Sequence, residues 1–112
     1  MSVSISIQPN VSPIDATIAR LEQIEAIVAK YAGLIEEEAK TLVPVRTGAL
    51  RDSIVTHLNG LVAEITAGEG LSYAHLIEYG TRGRPAQPYL RPAAEKYADE
   101  FAREIAAALG GS

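Results

Sequence analysis

Alternation opens the chain: Val3, Ile5 and Ile7 are separated by serines in S-V-S-I-S-I-Q, residues 2–8. A period of two places one set of side chains on a single face of a strand. Residues 1–11 are therefore read as an N-terminal strand or arm, which must join a sheet in this subunit or a neighbour's because a lone strand leaves its backbone groups unsatisfied. The period then changes. Ile14, Ile18, Leu21, Val28 and Ile35 recur at helical steps, and Ile24, Ile27, Tyr31 and Leu34 widen the stripe. This predicts a long amphipathic helix over 12–42. Ser12 is its expected N-cap, with Pro13 in the first helical position, Asp15 completing an S-x-x-D box, and Pro44 beyond the far end. Such a helix is about 45 Å long, longer than so small a domain is expected to cover, so part of it is expected to pack on another subunit.

The middle of the chain returns to strand-like runs. Residues 53–58 and 61–66 are joined by Asn59-Gly60, a strong hairpin signal because a type I′ turn needs positive φ at both central residues. A hairpin is expected over 53–67. Between it and the long helix, Thr47 can cap a short helical turn that holds Ala49 and Leu50. Residues 73–80 read as a short helix closed by Gly80. Residues 81–91 are too rich in proline, glycine and arginine for regular structure. A C-terminal helix is expected over 92–109, starting at about Leu90 or Pro92, with Tyr97, Phe101 and Ile105 on its inner face. The fold class that follows is α+β in a single domain, 1–112: a long N-terminal helix and a C-terminal helix packed on a small antiparallel β-sheet.

Composition narrows the function more than the fold. With 112 residues, 47% hydrophobic and 21% charged, the chain has the makeup of one globular domain. The formal net charge of -4 argues against general nucleic-acid binding, which needs a cationic surface. There are no cysteines, so disulfides and thiolate metal sites are excluded. Residues 1–7 lack the basic start and apolar run of a leader, and no stretch approaches the roughly 20 apolar residues of a membrane span.

Candidate chemistry is sparse. His57 and His75 lie on different elements without metal-ligand spacing. Asp52, Ser53 and His57 do not make a triad, since neighbours on a strand face opposite ways and no G-x-S-x-G elbow is present. No catalytic residue, cofactor or metal ligand is assigned. Glu36, Glu37 and Glu38 fan around the helix rather than converge, which suits a solvated face or a contact between subunits; Glu36 with Lys40 is a favourable i, i+4 pair. Gly80-Thr81-Arg82-Gly83-Arg84-Pro85 lacks the phosphate-loop signature. Arg82, Arg84 and Arg91 stand out as a basic cluster in an acidic chain, facing either DNA in a channel or carboxylates on a neighbour, and Arg side chains grip carboxylates bidentately. Glu78, one turn before Arg82, is a candidate clamp for that loop. Gly48 and Gly80 are expected in backbone roles, and Pro85 and Pro88 preset an extended path.

Three segments occur in order: V-P-V-R-T-G-A-L-R-D-S-I at 43–54, Y-A-H-L-I-E-Y-G-T at 73–81, and P-A-Q-P-Y-L-R-P-A at 85–93. Together they resemble the hallmark of a siphophage neck family of head–tail joining, tail-completion or minor tail components. The positions that carry the likeness are Pro44, Thr47, Gly48, Leu50, Tyr73, Gly80, Pro85, Pro88, Leu90 and Pro92, and Arg46 departs from it where the family often has an acidic residue. The resemblance implies a non-enzymatic structural subunit without cofactors. It implies a homo-oligomeric ring, six-fold or of related symmetry, assembled in the bacterial cytoplasm and ending in the virion at the head–tail junction. Its implied neighbours are a head-side connector or stopper and a tail terminator or tail-tube protein, with double-stranded DNA passing through the channel and no membrane. The rival reading is a small nucleic-acid-binding module using Arg82, Arg84 and Arg91.

Overall fold

Two long helices run antiparallel along each other and carry a small sheet on one side. The computed structural model describes residues 3–9, 18–43, 48–68, 74–80, 83, 85 and 88–109. Its elements are β1 (Val3–Ile7), α1 (Ile18–Leu42), α2 (Gly48–Asp52), β2 (Val55–Asn59), β3 (Val62–Ala67), α3 (Ala74–Tyr79) and α4 (Leu90–Ala108). The fold is α+β, with a three-stranded antiparallel sheet in the order β1-β3-β2. The expected capping box at Ser12 to Asp15 lies outside the described residues, as do Pro44, Thr47 and Tyr73.

The alternation in β1 works as a burial code. Val3, Ile5 and Ile7 pair with Ala67, Ile65 and Ala63 of β3, and cross-strand partners share a face. That face turns toward the helices: Val3, Ala63, Ile65 and Ala67 are buried with Ile24, Val28, Tyr31, Ala32, Ile35 and Ala39 of α1 and with Leu90, Ala93 and Ile105 of α4. The opposite face carries Ser4, Ser6, His57, Glu64 and Thr66 by the same register, together with the exposed Val55 and Val62. Shifting β1 or β3 by one residue would exchange the two sets, so the pattern fixes the register between them.

The length of α1 has a resolution inside the subunit. Arg20 donates to the Leu109 carbonyl at 3.2 Å near one end. Midway, Tyr31 meets Phe101 edge-on with ring centroids 5.5 Å apart and Tyr97 at 6.2 Å. Toward the other end Lys96 reaches Glu38 at 2.9 Å. α4 thus lies along nearly the whole of α1, and the expectation that a neighbouring subunit must cover part of the long helix is not needed. Among the described residues, the one large apolar side chain that α1 leaves exposed is Leu42. The helix pair also explains the shape. The molecule measures 50 × 24 × 20 Å with a radius of gyration of 15.6 Å, above the roughly 13 Å of a compact domain of this length.

The turn between β2 and β3 differs from the expected type I′. Asn59 pairs with Val62, which leaves Gly60 and Leu61 as the two connecting residues. Gly60 has φ 61°, and among the described residues no other residue type has positive φ. This is the sign pattern of a type II′ turn, with glycine first. A Cβ at Gly60 would meet nothing within 4 Å, so the constraint is in the backbone alone. Gly60→Val is expected to lower stability by about 1–3 kcal/mol, and Gly60→Asn by less, because asparagine has no β-branch to add to the cost of positive φ. Thermal unfolding of the two variants measures the difference.

Candidate functional site

The N-terminus of α4 has no local cap. Its N-cap residue is Tyr89, which makes no side-chain capping bond, yet the first turn of a helix leaves four N–H groups without intrahelical partners. Three of them converge on Glu78 of α3. The Tyr89 and Leu90 N–H groups donate to Oε1, each at 2.9 Å, and the Arg91 N–H donates to Oε2 at 3.3 Å. The fourth position is Pro92, which has no N–H to satisfy. Glu78 is only 3% exposed; its negative charge also opposes the positive end of the helix dipole.

To the reading of Glu78 as a contact between subunits or a clamp for the arginine loop, this geometry adds a role within the chain. The carboxylate is turned inward, and it clamps backbone. It still serves the loop, because it ties residue 78 to residues 89–91 and so closes the base of the segment 79–88. Gly80, at φ 79°, turns the chain out of α3 just after Glu78. At the other end Tyr89 and Leu90 are fully buried. Burial pushes the Tyr89 phenol well above its ordinary value, and the Glu78 charge adds to the shift. Pro85 and Gly83 are exposed and Pro88 is half-buried. Arg82 and Arg84 lie outside the described residues. Arg91 projects from the first turn of α4, highly exposed, with Glu95 one turn away at 3.9 Å.

The three consecutive glutamates of α1 go three ways. Glu36 faces the sheet, where its Oε1 accepts a hydrogen bond from the Thr56 hydroxyl at 2.8 Å while Oε2 lies 3.3 Å from Lys40. Glu38 faces α4 and holds Lys96, whose ammonium is stabilised in its charged form by that bond. Glu37 is exposed. Two of the three are thus engaged inside the subunit, and Glu37 alone is left facing solvent for the contact expected of the run. A fourth carboxylate, Glu104, was not singled out by the sequence. Its Oε1 accepts from Lys30 at 2.7 Å and from the Tyr31 hydroxyl at 3.1 Å, and the bond from Lys30 holds its carboxyl below the ordinary value.

Ser53 is used structurally. Its hydroxyl donates to the Leu50 carbonyl at 2.6 Å and accepts from the Gly68 N–H at 2.7 Å, which ties α2 to the end of β3. Leu50, on the turn begun by Gly48, is fully buried. His57 is exposed and pairs across the strands with Glu64, away from Ser53's partners; the side chain of His75 lies outside the described residues. No cluster of three or more metal-ligating side chains occurs among the described residues, and no helix among them is long and apolar enough to cross a membrane.

A family model described as "Bacteriophage HK97-gp10, putative tail-component" matches residues 16–80, more than half of the 112-residue chain. The matched stretch contains α1, α2, the hairpin and α3, and it ends just past Glu78. No curated protein and no solved structure gave a significant match.

Proposed function

The chain belongs to the HK97-gp10-like family of phage tail components, and from that premise we propose that it is a neck subunit whose copies form a ring joining the DNA-filled head to the tail. The family makes it a structural virion protein. The finer role rests on one arrangement: a Pro- and Arg-rich loop whose two ends are fastened to the rigid body by a buried carboxylate, Glu78. A loop with its base fixed loses little entropy when it docks, and the prolines within it restrict it further. Arg91 stands exposed at that base; Arg82 and Arg84 belong to the same segment in sequence.

The role is that of a connector, not a catalyst. Its partners in this reading are further copies of itself, a head-side connector or stopper, and a tail terminator or tail tube. Double-stranded DNA passes through the ring without being read. Replacing Arg82, Arg84 and Arg91 together with glutamine is expected to leave the subunit folded and to impair joining. Electron microscopy of lysates should then show filled or leaking heads apart from tails. Single replacements should be milder, because exposed ion pairs contribute about 0–1 kcal/mol each. Normal, infectious particles from the triple variant would remove the loop from the joint. Normal joining with failed DNA retention would place the arginines on the channel instead. Counting copies per particle tests the ring itself, and a single copy would overturn it.

A further inference from the structure

Among the described residues, both outer strands of the sheet leave one edge without a hydrogen-bonded neighbour, with α3 close to β1. β1 and β2 flank β3 on its two sides, and among the described residues no backbone hydrogen bond outside the sheet ladder reaches either outer strand. Natural proteins blunt such edges with charges, prolines, bulges or a covering element. Here V-S-I-S-I of β1 and V-T-H-L-N of β2 contain no Asp, Glu, Lys, Arg or Pro, in a chain that is 21% charged. Both pair with β3 in unbroken register, without a bulge.

The two edges are also complementary. Ser6 and His57 both pair with Glu64, and Ile7 and Leu58 both pair with Ala63. Each couple therefore stands at the same level on opposite edges, with Ile7 and Leu58 on the helix-facing side. Leu58 is 57% exposed there. Beside β1, on that same side, lies a cleft of about 370 Å³ whose walls include Ile7, Ile35, Ala94, Tyr97, Ala98 and Phe101. A strand added to β1 in line with the sheet would carry its inward side chains into this cleft.

We propose that the β2 edge of one copy adds to the β1 edge of the next, so that the sheet continues from subunit to subunit with Leu58 seated in the neighbour's cleft. β1 and β2 run parallel within the subunit, since both are antiparallel to β3. Copies repeating in one orientation therefore pair them in parallel. The contact joins two different surfaces, and a head-to-tail contact of that kind closes into a ring when its rotation permits. Main-chain hydrogen bonds supply the grip and the inward apolar side chain supplies selectivity. The inference rests on the reading of the chain as a ring subunit.

The chain has no cysteine, so cross-links report only on introduced ones. Particles carrying Ser6→Cys with His57→Cys, or Ser4→Cys with His57→Cys to allow a two-residue shift, are oxidised and resolved without reductant. Neighbouring parallel strands bring Cα atoms within disulfide range. The expected result is a ladder of linked copies, at least about tenfold stronger than from any single-cysteine variant. No ladder from either pair, in particles with the normal multiple copies, overturns the edge contact and leaves the ring standing. A single copy per particle overturns the ring reading itself. Dimers from His57→Cys alone would show two-fold β2 pairing and also overturn the proposal. Separately, Leu58→Lys should fold with an unchanged melting temperature and enter particles at least about tenfold less; normal incorporation rejects the seat for Leu58.

Discussion

Replacing Glu78 with alanine will destabilise the protein by about 2–4 kcal/mol, from the loss of a helix cap and of charge-assisted hydrogen bonds that leave buried donors behind. Three N–H groups lose their acceptor at once, and those of Tyr89 and Leu90 are buried. Water can reach Arg91 more easily than the other two. Against a total of about 5–15 kcal/mol for a domain, the loss should lower the melting temperature on the order of 10–20 °C. Glu78→Gln separates charge from geometry. Its amide oxygen can still accept from Tyr89 and Leu90, but its other terminal group cannot accept from Arg91, and the favourable charge at the helix start is gone. About half the loss is expected. Aspartate is too short to bridge the same gap and should behave nearly like alanine. Amide exchange at residues 89–91 should accelerate in Glu78→Ala well before global unfolding. Unchanged protection there would mean that the carboxylate is not what caps α4.

The sequence carried the elements more clearly than their connections. The serine-isoleucine alternation of β1 and the helical stripe of α1 are strong because each repeats a single burial requirement several times over. The choice of β1's partner was open, since alternation says which side of a strand is buried and nothing about who covers it. The same limit left the cover of α1 open. Its stripe announced a large apolar face, but the covering element was α4, with nearly 50 residues between the end of one helix and the start of the other. Glu78 shows what a signal for the junction would have looked like. The residues before Leu90 offer no Ser, Thr, Asp or Asn at the cap position, so the helix start had to borrow an acceptor. A glutamate within the otherwise mostly apolar Y-A-H-L-I-E-Y, just before a closing glycine, was the available one. Charge points Glu78 toward the nearby arginines, while the unpaired backbone at the start of α4 also claims its carboxylate. The turn shows the same limit on a smaller scale. Asn-Gly suits type I′, but the register, set by the burial of Ala63 and Ile65, moves the connecting pair one residue along to Gly60-Leu61.

The other large effect is expected at Tyr89, the largest of the fully buried side chains among the described residues. It begins α4, donates its N–H to Glu78, and sits where the loop enters the core. Tyr89→Ala empties that volume, and truncating a buried aromatic side chain costs about 3–5 kcal/mol because the surroundings collapse only in part. Tyr89→Phe keeps the ring and removes only the hydroxyl, for about 1 kcal/mol. Urea titrations should therefore rank the wild type and Tyr89→Phe close together and Tyr89→Ala far below. The phenol adds a pH signature. Burial raises its pKa above the ordinary value of about 10, so the folded state holds the proton after the unfolded chain has begun to release it. Below pH about 10 both states are protonated and stability is unaffected by this group. Above it the unfolded state binds fewer protons, and stability falls as pH rises. Tyr31, whose phenol is also raised, first by burial and then by its bond to Glu104, contributes in the same direction. Tyr89→Phe should therefore flatten the alkaline decline without abolishing it. An alkaline limb of the same slope in Tyr89→Phe and in the wild type would show that this hydroxyl is solvated in the folded state.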